Sequence, residues 1–200
     1  MIQFNFPTVM FYGPGSLRSL PEKLLSDGIK SILLVTDPGL VKIGLAEKSV
    51  KVFQEKGIRI GIYSDIHSNP IEEDVFGGVD CFQSGRYECL VALGGGSAMD
   101  VTKTIRFMVV HEPPLEQYDD AVGGDKLIVN QMPPMMAIPT TAGTGSEVGR
   151  SSVITLNSTG KKTIFFHPGL MPEIAVLDPE LNIGLPPSIT AATGIDAFTH

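Results

Sequence analysis

Gly94-Gly95-Gly96-Ser97, with Asp100 three residues on, is the stretch of this sequence best suited to hold a phosphate. Bare glycine backbone lets peptide N–H groups come close to an anion, and it tolerates the positive φ of a tight strand-to-helix turn. Ser97 and Asp100 have the spacing of a capping box, with Asp in place of Glu or Gln. The plain alternative is a structural turn with no ligand. A second run, Pro139-Thr140-Thr141-Ala142-Gly143-Thr144-Gly145-Ser146-Glu147, offers hydroxyls and open backbone to phosphate or ribose oxygens; a Ser/Thr turn is the competing reading. Asp196 and His200 stand four residues apart, so on a helix they project from one face and could share a metal ion. Such a pair alone is more often a surface ion pair. The apolar Ala191, Ala192, Ile195, Ala197 and Phe198 around it argue against a solvated one. Lys162 either reaches a ribose or phosphate or is a solvated hairpin lysine. Gly160-Lys161-Lys162-Thr163 has the look of a Walker loop. However, Thr155 stands where the first glycine belongs and the flanks read as strands, so that motif is rejected. His67, His111 and His167 show no ligand spacing and read as loop or surface residues.

These groups need strand ends to position them, and the chain supplies a serial alternation. Phe4 to Phe11 is a short apolar segment, followed by a Gly13-Pro14-Gly15 turn and a helix from a Ser16 cap to about Ser26. Ile32 to Val35 and Leu90 to Leu93 are continuous apolar runs, the pattern of strands covered on both faces. A helix is expected from beyond Asp37-Pro38-Gly39 to about Lys56, and a strand over Arg59 to Tyr63. Residues 71 to 87 read as a poorer helix interrupted by Gly77-Gly78. A helix follows the glycine turn to about Val110; residues 111 to 134, rich in Pro and Gly, read as mostly loop. Met135 to Ile138 is a strand, Ser151–Leu156 and Thr163–Phe166 a hairpin, Ala175 to Asp178 a last strand, and a helix begins near Ser188. Serial βα units imply a parallel sheet with helices on both faces. Its ligands sit beyond the strand carboxyl ends, where the glycine turn, Asp37 and the segment after Ile138 all fall.

Composition narrows the function classes. At 200 residues, 42% hydrophobic and 18% charged, the chain has the makeup of a soluble globular protein. A net charge of −7 with no Lys/Arg cluster argues against nucleic acid as a partner. No apolar run approaches a membrane span, and the N-terminus lacks the features of a signal peptide. Cys81 and Cys89, without CxxC spacing, fit reduced thiols in a cytoplasmic protein.

Taken together, Gly94-Gly95-Gly96-Ser97 with Asp100 and Lys103, Ile138 through Glu147, Asp178-Pro179-Glu180-Leu181, Leu185-Pro186 and Thr190 through His200 closely resemble the iron-containing (group III) alcohol dehydrogenases. The resemblance implies a Rossmann-like α/β fold of the dehydroquinate synthase-like superfamily. An NAD(P)-binding domain is expected over residues 1–180, and the start of an all-helical metal-binding domain over 181–200. It places Gly94, Gly95, Gly96, Ser97 and Asp100 at the cofactor, with Thr140, Thr141, Thr144, Lys162 and Leu181 also contacting or close to it. Asp37 matches the position that discriminates between cofactors. A carboxylate there accepts from ribose hydroxyls and repels a 2′-phosphate, favouring NAD over NADP. Asp196 and His200 match two metal ligands, and a carboxylate with imidazoles suits Fe(II) or Zn(II). The implied chemistry is metal-assisted hydride transfer between a small alcohol or aldehyde and the nicotinamide. No residue stands out as a general base, and a homo-oligomer is expected. The family's second domain, with its further histidine ligands, has no counterpart before His200. The chain is therefore expected to be a piece of a longer enzyme, inactive alone, with the last turns of its final helix fraying unless a neighbour covers them. Two alternatives stay open: a metal- and NAD-dependent sugar-phosphate cyclase, and a nucleotide-binding module without catalysis.

Overall fold

A computed structural model describes residues 8–199; His200, half of the expected metal pair, and the beginning of the Phe4 to Phe11 segment lie outside the described residues. Six strands form one parallel sheet: β1 (Val9–Tyr12), β2 (Ser31–Thr36), β3 (Arg59–Tyr63), β4 (Cys89–Gly94), β5 (Met135–Pro139) and β8 (Ile174–Leu177), in the order β1-β8-β5-β4-β2-β3. Every residue of β2 and β4 is buried, as their unbroken apolar runs require. Alternate side chains go to opposite layers. Leu33, Val35, Leu90 and Ala92 pack toward α4 (Glu72–Gly85) and α5 (Gly96–Met108); Ile32, Leu34, Val91 and Leu93 pack toward α1 (Leu20–Ser26) and α3 (Leu45–Gln54). The expected doubly covered parallel sheet is thus the fold observed.

The strand order decides where a ligand can sit. From β2 the chain steps outward to β3, returns to β4 on the other side of β2, and then runs on through β5 and β8 in the opposite direction. Connections that leave β2 and β4 toward opposite edges open a crevice between their carboxyl ends. Asp37 follows one of these strands and Gly95 the other.

Outside the sheet, β6 (Ser151–Thr155) and β7 (Lys162–Phe166) form the expected antiparallel hairpin. It is held to α5 through the Phe107 ring, whose centroid is 5.7 Å from that of Phe165 and 5.3 Å from that of Tyr118. The final helix, α6 (Pro187–Thr199), has no buried residue. No helix among the described residues is long and apolar enough to cross a membrane.

Three local expectations change. The helix expected after Asp37 is split into α2 (Pro38–Lys42) and α3, because Gly44 takes φ +76° between them. The start near Ser16 is a 3-10 turn over Ser16–Ser19 without a side-chain cap, and α1 begins only at Leu20. Gly77-Gly78 does not interrupt α4. It lets the helix lie close to its neighbours: a β-carbon at Gly78 would stand 2.2 Å from Ile105 Cδ1 on α5, and one at Gly77 2.6 Å from the Tyr63 hydroxyl. The cost of glycine in a helix, about 1 kcal/mol, is offset by that approach. Gly78→Ala is therefore expected to destabilise the fold by about 1–3 kcal/mol through overpacking. The same change should cost less in an Ile105→Ala background, and urea unfolding of the single and double variants measures the difference.

Candidate functional site

A cleft of about 530 Å³ opens at the carboxyl ends of β2 and β4. The segment after β2 contributes Asp37, Pro38, Gly39, Leu40 and Ile43; the turn after β4 contributes Gly95, Gly96, Ser97 and Ala98; Thr140 and Thr141 follow β5. Six of the residues singled out from sequence therefore meet on one surface. Asp37 caps α2, its Oδ1 accepting from Leu40 N–H at 3.0 Å. That bond leaves its second oxygen, Oδ2, for a ligand.

The glycine turn is built by close approach. Gly94 has φ +152°, and a β-carbon there would stand 2.7 Å from Ala98 Cβ and 3.4 Å from Asp37 Oδ2. A β-carbon at Gly95 would lie 3.0 Å from Thr141 Oγ1, and one at Gly96 3.4 Å from Thr144 Cγ2. Thr140 N–H donates to Gly94 C=O at 3.0 Å, extending the pairing of β4 and β5 into the loop. The first bond of α5 runs from Met99 N–H to Gly95 C=O at 3.1 Å. The amides of Gly96, Ser97 and Ala98 precede it and have no partner within the helix, the usual state of a helix N-terminus. Together with the helix dipole they form a ready site for an anion. The expected capping box is absent. Gly95 is the cap residue, no side chain caps the helix, and Ser97 Oγ donates instead to Ser68 C=O at 2.8 Å.

Asp100 lies behind the turn, in a half-buried network. Its Oδ1 accepts from Ser146 Oγ at 3.3 Å, and Lys103 Nζ donates to Ser146 Oγ at 3.0 Å and to Ser151 C=O at 2.9 Å. Lys103 is completely buried. Burial pushes the Asp100 carboxyl up to about 6, against the pull of Lys103, the Ser146 hydroxyl, the Val153 amide and the Lys162 charge. Burial brings the Lys103 ammonium down to about 8, against the carboxylates of Asp100 and Glu147. The network pins the loop after β5 to α5. Thr144 takes part in a Ser/Thr turn as well, its Oγ1 accepting from Ser146 N–H at 3.3 Å.

The remaining expected residues lie elsewhere. Lys162 borders a separate depression with Glu116, Asp119 and Asp120, although its charge reaches Asp100. Leu181 is packed in the core together with Leu185, and Leu185 rather than Leu181 lines the cleft. Asp196 on α6 faces Gly143, where a β-carbon would come within 2.6 Å of its Oδ2 and 2.8 Å of Thr193 C=O. Among the described residues no group of three or more His, Cys, Asp or Glu could hold a metal ion. Sequence reasoning missed the wall formed by Ile66, His67 and Ser68 and the cover supplied by Pro186 and Ile189. His67 reads from sequence as a loop or surface residue, and nothing in the local sequence says where that loop lands. His111 and His167 have structural roles. Nε2 of His111 accepts from Val129 and Asn130 N–H, and Nδ1 of His167 accepts from Gly169 N–H.

Lys103, held below its ordinary pKa by burial, also makes stability depend on pH. Its folded pKa is below the unfolded value, so between about pH 8 and the ordinary lysine range the unfolded chain holds the extra proton and stability rises with pH. Lys103→Met should remove that rise and cost about 1–3 kcal/mol through the stranded partners Ser151 C=O and Ser146 Oγ. Denaturant unfolding of both proteins across pH 7–10 gives the difference curve.

The family model for iron-containing alcohol dehydrogenase matches residues 7–179. A choline dehydrogenase of Bacillus subtilis is 38% identical over 98% of this chain and 49% of its own length. Among solved structures, 1,3-propanediol oxidoreductase superposes with a TM-score of 0.92 at 38% identity, covering all of this chain and 51% of that one. A sulfoacetaldehyde reductase from Bifidobacterium kashiwanohense, solved in complex with NAD+, gives a TM-score of 0.86 at 32% identity, covering 98% of this chain and 51% of that one. The chain spans about half the length of the curated relatives it matches. With the glycine turn, the threonine loop and the strand order all in place, this chain belongs to the iron-containing alcohol dehydrogenase family.

Proposed function

We propose that the intact protein is a metal-dependent dehydrogenase that transfers hydride between a small alcohol and NAD and runs in reverse as an aldehyde reductase. The observation that carries this reading is the bare backbone of Gly94 to Gly96, held open beneath a cleft of about 530 Å³ where the strand order reverses. That cradle fits a dinucleotide. Its glycines leave room that a β-carbon would fill, and its helix N-terminus presents unpaired amides. The NAD+ named in the sulfoacetaldehyde reductase structure supports the same choice of cofactor.

When bound, the nicotinamide accepts or returns a hydride, and a divalent ion, Fe(II) or Zn(II), polarises the alcohol oxygen. The chain's own residues do the rest. The amides of Gly96 and Ser97 hold the pyrophosphate, and Thr140 and Thr141 close over it. The Asp37 carboxylate accepts from the ribose hydroxyls. The apolar side chains of Ile43, Ile66 and Ile189 keep water from the bound cofactor. Asp196 and His200 are assigned to the metal, with the remaining ligands outside these 200 residues. The proposed boundary between the nucleotide-binding domain and the metal-binding domain lies near residue 180, in the short link that precedes α6. A cytoplasmic, homo-oligomeric enzyme completes the reading. The free thiols of Cys81 and Cys89 and the exposed Val9, Met10 and Tyr12 on edge strand β1 support it.

The decisive assay offers the intact protein a panel of primary alcohols with NAD and either Fe(II) or Zn(II). Cofactor reduction is expected with at least one alcohol, and none with any pairing of alcohol and metal overturns the reading. Cofactor choice has its own test. Asp37→Asn keeps an acceptor for Leu40 N–H but removes the charge, so the NADPH-to-NADH affinity ratio should rise by about tenfold, a difference of about 1.4 kcal/mol. Fluorescence titration with the two dinucleotides measures that ratio.

A further inference from the structure

His67 belongs to the cleft wall, yet neither the family motifs nor the chemistry above uses it. It follows β3 in a loop pinned on two sides. Ser97 Oγ, on the first turn of α5, holds the carbonyl of the next residue, Ser68, at 2.8 Å. Asp74, on the first turn of α4, accepts from the His67 backbone N–H at 3.0 Å and from Ile71 N–H at 3.1 Å through Oδ2, while its Oδ1 lies 2.7 Å from His67 Nδ1. The Asp74 side chain is 2% exposed and the His67 side chain 62% exposed. A buried carboxylate thus grips one ring nitrogen and leaves Nε2 on the open side of the ring, at a cleft whose floor is a helix N-terminus. This is the arrangement in which one partner fixes the tautomer and the second nitrogen serves a ligand.

We propose that His67 is a specificity contact for the phosphate of the bound dinucleotide, its imidazolium donating from Nε2 across the cleft mouth toward the anion held by Gly96 and Ser97. This rests on the cleft being a dinucleotide site. The hydrogen bond to Asp74 and the charge of Asp74 hold the imidazole above its ordinary value, with Asp65 and Glu73 adding to the effect and partial burial opposing it. Those carboxylates come from the histidine's own loop and from α4; α5 presents the uncharged Ser97, and Asp37 faces the cleft from the β2 side. The carboxylates therefore favour the cation, which is lost as pH rises through the raised value. Dinucleotide affinity should fall over the same interval, because the neutral ring keeps its one proton on Nδ1 for Asp74 and Nε2 is left with a lone pair and nothing to donate to phosphate.

The test is a fluorescence titration of the protein with NADH from pH 6 to pH 9, an interval in which the pyrophosphate charge is constant. Binding is expected to be about two- to fivefold tighter at the acid end, the range of a partly solvated ion pair. His67→Gln should flatten the curve without unfolding the chain, since the ring is mostly exposed. Asp100 and Lys103 also titrate near this range but are common to both proteins, so the difference between the curves belongs to His67. Asp74→Asn should move the midpoint down toward the ordinary histidine value. Adenosine, which carries no phosphate, should compete with no such pH dependence. A wild-type curve that is flat, a slope that survives in His67→Gln, or the same slope with adenosine each overturns the proposal while leaving the dinucleotide site standing. Absence of NADH binding at every pH overturns both.

Discussion

The loop after β5 comes down on the turn after β4 more closely than most side chains would allow. Thr141 Oγ1 lies where a β-carbon at Gly95 would be 3.0 Å away, and Gly94 carries φ +152°, a conformation that residues with a side chain rarely adopt. Because the backbone there is bare, Thr140 N–H can still reach Gly94 C=O and continue the sheet pairing one residue past the strands. The cleft, the exposed amides of α5 and the placement of the threonines all follow from that contact. A methyl group at Gly94 would meet Ala98 at 2.7 Å and push the helix start away from Asp37, separating the two walls that a ligand has to touch together.

Close approach alone does not fix the loop; buried charge does. Lys103 lies under the loop with no exposed surface, and both of its acceptors, Ser146 Oγ and Ser151 C=O, belong to the segment that has to be held. A lysine so placed is costly unless its donors are used, and burial, more than the attraction between the two, makes Lys103 a weaker base and Asp100 a weaker acid than usual. The value of the pair is therefore positional. It ties α5, which presents the glycine turn, to the loop that covers it, and it does so with directional bonds where apolar packing would allow sliding.

The parts of this arrangement legible in sequence are those set locally. Ile32 to Val35 and Leu90 to Leu93 read as central strands because both faces of each are covered, and three glycines after such a run announce a bare turn. Asp37 was legible as a strand-end carboxylate. Misreadings arose where a distant neighbour overrode local propensity. Gly77-Gly78 reads as a helix breaker in isolation, but it is the point at which α4 touches Ile105 and Tyr63. Ser97 has cap spacing, but the cap of α5 falls two residues earlier, at Gly95, and the Ser97 hydroxyl bonds to Ser68 instead. The wall of Ile66, His67 and Ser68 was invisible for a similar reason. Its place beside the glycine turn is set by strand order, and order is not written in any one segment.

The loop of residues 140–146 also reaches toward the metal side of the proposed chemistry. Gly143, at φ +111°, lies against the Asp196 carboxylate and the Thr193 carbonyl on α6, a contact as close as those at the glycine turn. One short loop thus touches the cleft through Thr140 and Thr141, the buried Lys103 through Ser146, and the candidate metal ligand through Gly143. Hydride transfer tolerates little error in the distance between donor carbon and acceptor, and misplacement by about 1 Å can cost about a hundredfold in rate. Within these residues α6 meets the loop at Gly143, through the Asp196 carboxylate and the Thr193 carbonyl. The loop itself is anchored to α5 by a buried lysine and to β4 by a backbone hydrogen bond. On the proposed assignment, Gly143 and its anchors would set the separation between the dinucleotide held at the cleft and an ion held by Asp196.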